Sequence, residues 1–485
     1  MSSFSKDAAK VASAPLITQL LSILLTPIVT RLYSPEAFGL FQLFGSVCAP
    51  LVVFVTMGYA VPIMITESEE ERVNLLFICI LISLLFSTII GFVFVTGYNV
   101  LNTFLKIDQI KIIVWILPLS LLFHGIYMSL RYWNLKKTKF QQNAFGEIFR
   151  NIGNYFIILP AGFMGYTSAN SLIFGSFVSS ITTILAQSIG QIKSLFNNLW
   201  HNVNYKQIKY LLVRYRKFPL YNTPSEFLSR FSSETPVILF AFFFSSNVIG
   251  FYSLSLRILN LPVKYLGTTI GDVYFQRGSL DKTGNVHLLK KLLKLIFMIG
   301  LPFFSMLSII GSDLFGFFFG QVWRTAGQYS QILSFYIFLK LLINFACYLT
   351  NILEKQQYYL IYVAVDALLI SVGITVGGIL HNIILSLTLI LLLSGCVSVI
   401  FGYYIYSSVG ISMKDLWLLF RKPFYLIFPF ILINLLLIHI LHLPGLINLI
   451  ISITFLFINY LLLLLFDSEL KGYVRRAIGY MKNRL

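Results

Sequence analysis

Apolar residues in this chain come in long blocks, separated by short clusters of charge, proline and glycine. A helix needs about 20 mostly apolar residues to cross a bilayer. The breaks predict fourteen such helices, near residues 11–32, 37–65, 73–97, 110–130, 143–165, 168–192, 219–244, 249–273, 292–318, 329–352, 358–380, 383–407, 424–442 and 446–466. The seventh and eighth differ from the rest because both carry charge. Residues 226–244 read EFLSRFSSETPVILFAFFF, with Glu226, Arg230 and Glu234 four residues apart and therefore on one helix face.

Composition agrees with this pattern. The chain is 57% hydrophobic and 11% charged, with mean hydropathy +0.82. A soluble domain carries about 25% charged residues. The fold class predicted is an all-α polytopic membrane protein. The net charge of +18 then reads as loop charge rather than a nucleic-acid surface, since cytoplasmic loops collect Lys and Arg. With the N-terminus in the cytoplasm, 27 of the 36 Lys and Arg fall on the cytoplasmic side and 4 on the other. Both termini are thus expected in the cytoplasm. The acidic run ESEEER (67–72) is the exception on that side.

The longest cytoplasmic loop, residues 193–218, is basic. It is expected to join a six-helix bundle (1–192) to a second six-helix bundle (219–407). Residues 408–485 would then hold helices 13 and 14 and a basic tail. The stretch YKQIKYLLVRYRKF (205–218) is expected to form an amphipathic helix on anionic lipid. Cys48, Cys79, Cys347 and Cys396 lie in apolar runs with no CxxC pair, and read as small buried hydrophobes. Trp323 and Arg324 read as an interfacial anchor. His439 and His442 share a helix face but have no third ligand nearby, so no zinc site is expected.

The two halves repeat weakly. TPIV (26–29) is followed by YSPEAFGLF and Pro50, and TPVI (235–238) by FSSNVIGFY and Pro262. Each has a Thr-Pro helix, a short outer turn, and a helix opening apolar-Gly-apolar-aromatic. Such repetition suits a transporter built from two related bundles.

RLYSPEAFGLFQLF (31–44), YRKFPLYNTPSEFLSRFSSETPVILFAFFFSSNVIGFYSLSLRILNLP (215–262) and WRTAGQYSQILSFY (323–336) resemble bacterial lipopolysaccharide and O-antigen flippases of the Wzx type. These belong to the multidrug/oligosaccharidyl-lipid/polysaccharide (MOP) exporter superfamily. The resemblance covers most of residues 10–410. It implies two pseudo-symmetric six-helix bundles around a central cavity lined by helices 1, 2, 7 and 8, with two peripheral C-terminal helices. It also implies alternating access that moves an undecaprenyl-diphosphate-linked oligosaccharide from the inner to the outer leaflet of the cytoplasmic membrane. GYAVPIMI (58–65) departs from the pattern, since many relatives carry an acid soon after this tyrosine.

Ionisable groups inside a membrane face a wet cavity or pair with one another. The cations Arg150, Arg230, Arg257, Lys264 and Lys340 are matched by Glu147, Glu226, Glu234, Asp272 and Asp366. Arg257, Lys264 and Asp272 are seven and eight residues apart, one face of a regular helix. Guanidinium and ammonium groups bind phosphate. Arg230, Arg257 and Lys264 are therefore candidate diphosphate ligands, with Arg150 and Arg31 behind them; internal ion pairing is the competing reading. No GxxxxGK[ST] loop is present, so no nucleotide cofactor is expected. A proton or sodium gradient would drive transport, with Glu226, Glu234 and Asp272 as carriers. Expected partners are the lipid-linked oligosaccharide, membrane lipids, and the polysaccharide polymerase and chain-length machinery. Two other classes stay open: a membrane-embedded polymerase or glycosyltransferase of the same pathway, and a drug/cation exporter. The first would need a sizeable outer loop, the second an acidic cavity.

Overall fold

The computed structural model describes residues 18–99, 102, 113–268, 270–271, 274–275, 285–441 and 445–466. Its helices are α1 (Thr18–Leu32), α2 (Pro35–Leu51), α3 (Glu69–Thr96), α4 (Ile113–Lys136), α5 (Phe140–Phe163), α6 (Ala169–Ser188), α7 (Ile192–His201), α8 (Tyr205–Arg214), α9 (Thr223–Phe243) and α10 (Ser246–Pro262). They continue as α11 (Val286–Phe319), α12 (Arg324–Ile352), α13 (Gln356–Ile379), α14 (Ile383–Ser407), α15 (Met413–Leu441) and α16 (Gly445–Phe466). Each of the fourteen predicted segments overlaps one of these, and α7 and α8 fall in the basic linker. Among the described residues, nine helices are long and apolar enough to cross a membrane. The chain is a multi-pass membrane protein.

Helix starts follow local chemistry. Ser34 accepts a hydrogen bond from the Ala37 N–H, with Pro35 opening α2. Ser68 caps α3 through the Glu71 N–H, and Glu69, Glu70 and Glu71 occupy its first turn. Carboxylates suit a helix N-terminus, and cations meet two of them: Lys137 lies 2.8 Å from Glu69 and Arg214 2.7 Å from Glu71. This accounts for an acidic run on a basic side of the protein.

The second predicted span, 37–65, is not one helix. α2 stops at Leu51, passes through a 3-10 turn (Val52–Val55), and breaks at Met57 (φ 45°) and Gly58 (φ 75°). A left-handed backbone cannot continue a right-handed helix. The Ser83 hydroxyl donates to the freed Val55 carbonyl at 2.6 Å. In lipid such groups need an internal partner. The eighth segment also changes form: α10 ends at Pro262 and runs into a π-helical turn, Val263–Thr268.

The contacts form two units, Met1–Gly250 and Phe251–Leu485. In the first, α5 packs along α6, α3 along α4, and α9 along α2. In the second, α11 packs along α12 and also meets α15 and α16. Exposed apolar faces remain, as on α3, where Leu81, Leu84, Leu85, Ile89 and Phe92 all face outward. That surface suits acyl chains and would be a liability in water. Lipid offers side chains the same apolar surroundings as a neighbouring helix, so close packing and internal hydrogen bonds carry the association of helices.

Three expectations need correction. Of the four cysteines only Cys79 is buried, and Cys396 is exposed on α14. Trp323 is 1% exposed and meets Phe251 edge-on at 6.0 Å, so it fills a core rather than anchoring at an interface. Helix α8 docks on protein: Leu211 is fully buried in a cluster with Tyr59, Ile63, Leu75, Ile78 and Cys79, and the Tyr59 hydroxyl donates to the Leu212 carbonyl. Only the opposite face of α8, with Tyr205, Lys206 and Lys209, is exposed.

Candidate functional site

In the first unit, α4, α5 and α9 bring a set of charged side chains together. α9 begins after a π-helical turn, Phe218–Asn222, with Pro224 in its first turn and Pro236 inside it. The Arg230 Nε and Nη2 donate to Glu226 Oε1 at 3.1 and 2.7 Å. Both side chains stay partly exposed, 38% for Arg230 and 53% for Glu226. Glu234, one turn on, accepts the hydroxyl of the buried Ser46 on α2 at 2.5 Å. The predicted stripe is therefore real but divided. Its Glu226–Arg230 end is open, and its Glu234 end is fixed to a neighbouring helix.

Arg150 on α5 lies 3.7 Å from Glu147, and its guanidinium sits over the Tyr127 ring at 4.5 Å. The Tyr127 hydroxyl donates to Glu147 at 2.9 Å. His124, one turn before Tyr127, meets that ring edge-on. The charges of Arg150, Arg230 and Arg131 all act on His124. Arg131 is exposed and forms no ion pair among the described residues. Arginines from three helices thus lie within electrostatic reach of one imidazole, and Glu147 and Glu226 each pair with one of them.

Sequence reading missed Arg131, Tyr127 and His124 as members of this group. The signal was there, since 124, 127 and 131 lie at i, i+3 and i+7 on one helix face. Arg131 was hidden by its place at a helix end, where it counted as a loop charge. Arg31 is exposed in the last turn of α1, where a cation suits the helix dipole.

In the second unit, Arg257 on α10 and Lys264 in the π-helical turn are both exposed. A π-turn has a longer repeat than an α-helix, so the two do not keep the register of a regular helix. Asp272 lies outside the described residues. Lys340 and Asp366, 26 residues apart, form a 2.7 Å pair between α12 and α13. Lys340 also donates to the Tyr362 hydroxyl at 2.6 Å, and the Ser394 hydroxyl donates to Asp366. This network is largely enclosed, at 22% and 15% exposure for the pair. Hydrogen bonds on both charged groups are what make a buried pair tolerable. Among the described residues, no three His, Cys, Asp or Glu side chains gather as a metal site.

Comparison with known proteins identifies the fold and the family. No curated protein sequence matches the chain. The lipid II flippase MurJ, in an inward closed conformation, superposes with TM-score 0.69 at 16% identity, covering 94% of this chain and 98% of that one. An inward-facing multidrug resistance MATE transporter of the MOP superfamily gives 0.58 at 13% identity, covering 84% and 99%. A MOP superfamily transporter from Pyrococcus furiosus, described as having a binding pocket of reverse polarity, gives 0.50 at 11% identity, covering 84% and 94%. The fold is therefore that of MOP superfamily transporters. A model of the polysaccharide biosynthesis protein family matches residues 28–328, more than half of the chain, and the protein belongs to that family.

Proposed function

We propose that this chain is a flippase for an undecaprenyl-diphosphate-linked oligosaccharide, an O-antigen or related surface-polysaccharide repeat unit. It would move that lipid from the inner to the outer leaflet of the bacterial cytoplasmic membrane by alternating access, acting as a transporter and not as an enzyme. The observation that carries this reading is that Arg131, Arg150 and Arg230, from three helices of a MOP-type fold, lie within electrostatic reach of their shared neighbour His124, with Arg150 and Arg230 partly exposed.

A diphosphate offers several acceptor oxygens to guanidinium forks, which bind them in pairs. Arg230 and Arg150 are already held by carboxylates and pointed at accessible space. Arriving phosphate would compete with Glu226 for Arg230. Glu226, released from Arg230, would be one carrier in a transport cycle linked to a proton gradient. Sodium is the other candidate. Arg257 and Lys264 would add phosphate contacts, and Glu234 and Asp272 further carrier sites. The product, a flipped repeat unit, suits a polymerase and chain-length machinery as downstream partners.

The MATE-like fold raises drug export as a second reading. A cluster led by three arginines favours an anionic cargo, which makes a cationic drug the weaker fit. Deleting the gene should leave the lipid-linked repeat unit on the inner leaflet. Restoring wild type should clear it, and restoring an Arg131→Gln/Arg150→Gln/Arg230→Gln variant should not. Absence of accumulation on deletion would overturn the proposal.

A further inference from the structure

The second unit contains a cavity of about 470 Å³ that the transport reading does not use. Leu293 of α11, Leu342 of α12, Val399 and Gly402 of α14, and Trp417 and Phe420 of α15 line it. Its walls are almost wholly carbon. The Tyr406 hydroxyl at its edge is already committed, donating to the Leu342 carbonyl at 2.7 Å. Such a space is within the usual size of a ligand pocket, about 300–1,000 Å³, but beyond the Tyr403 hydroxyl it offers a polar ligand little to bond. It fits a hydrocarbon chain.

The rim is different. The cavity lies within about two turns of the short connection between α14 and α15. Met413, Leu416, Trp417 and Phe420 line it at i, i+3, i+4 and i+7 of α15. Lys414 and Arg421 flank that face, and Lys290 and Lys291 stand in the first turns of α11. Lys290 is engaged with Asp415 at 3.2 Å. Lys414 and Arg421 are exposed and form no ion pair among the described residues. α15 is also the least buried of the nine apolar spans, with 11% of its apolar stretch buried. Its main helix contacts are with α11 and α16.

We infer that this cavity binds one acyl chain of an anionic phospholipid, with the lipid phosphate at Lys414 and Arg421. Basic side chains beside an apolar slot at a membrane surface select anionic head groups. Their long stems let the charge reach the interface. The bound chain fills the gap between α15 and the rest of the unit and fixes α15 in place.

Trp417 supplies a reporter. The full chain is reconstituted in phosphatidylcholine nanodiscs containing a small fraction of phosphatidylglycerol or phosphatidylcholine with brominated chains, which quench tryptophan on contact. The Trp417 signal is isolated by subtracting Trp417→Phe. Brominated phosphatidylglycerol should quench at a mole fraction about five-fold lower than brominated phosphatidylcholine. Lys414→Gln/Arg421→Gln should abolish that preference while leaving quenching by either lipid. Val399→Phe, at a position already facing lipid, should reduce quenching by both. Equal quenching by the two lipids in wild type, a preference that survives loss of both cations, or quenching unchanged by Val399→Phe would each overturn the inference.

Discussion

Gly39 and Gly250 face each other where the first turns of α2 and α10 cross. A Cβ on Gly39 would overlap the Ser246 carbonyl, and one on Gly250 would overlap the Pro35 carbonyl. Ser246 and Pro35 each precede their own glycine by four residues. The contact is thus reciprocal. The two helices also have the same length, 17 residues. Thr26 and Thr235, the threonines of the two Thr-Pro pairs, each donate to the carbonyl four residues back. The Thr-Pro pairs and the helices that follow them are thus alike in local structure. Gly39→Ala or Gly250→Ala should each cost about 1–3 kcal/mol through overpacking, read as a lower thermal midpoint of the purified protein. The double variant should cost less than the sum, because the first substitution already separates the helices. Additive effects, or none, would count against the contact.

The Lys340–Asp366 pair predicts an asymmetry. Lys340→Met leaves Asp366 enclosed without its counter-charge, and should destabilise the protein by about 3–5 kcal/mol. Lys340→Met/Asp366→Leu removes both charges and should recover most of that loss. Thermal unfolding of the three variants checks it; a double variant as damaged as the single one would show that the hydroxyl network, not the charge, holds these helices.

Helix α8 separates packing from charge. Leu211 is fully buried, while the Arg214–Glu71 pair is 38% exposed on the arginine side. Leu211→Ala should cost about 2–5 kcal/mol and open the linker to protease. Arg214→Gln should cost less than Leu211→Ala: the arginine end is screened, but Glu71 is 12% exposed and loses its cation. Limited proteolysis with mass mapping of the 193–218 segment distinguishes them.

How far the sequence reached depended on whether a feature is local. Helix starts at Ser34-Pro35 and Ser68 were legible, because a cap is read within four residues. The breaks at Met57-Gly58 and Val263–Thr268 were not, since Gly and Pro also occur inside unbroken membrane helices. Matched numbers of intramembrane acids and bases pointed to pairing, and Lys340 with Asp366, Arg230 with Glu226 and Arg150 with Glu147 are such pairs. Charge balance could not say that Glu234 turns to Ser46 instead. Trp323 was misread because a core tryptophan and an interfacial one look alike without a partner in view. The group around His124 draws on residues as far apart as 124 and 230, and only folding brings them within electrostatic reach.

The central claim is that Arg131, Arg150 and Arg230 hold a diphosphate during transfer between leaflets. It is tested most directly with a fluorescent lipid-linked oligosaccharide in proteoliposomes, by following its loss of accessibility to a membrane-impermeant quencher. Removing one charge-assisted phosphate contact costs about 1.5–3 kcal/mol. Arg230→Gln should therefore slow transfer about ten-fold or more, with Arg230→Lys intermediate because lysine keeps the charge but loses the fork. Wild-type rates in a well-folded Arg131→Gln/Arg150→Gln/Arg230→Gln protein would contradict the account.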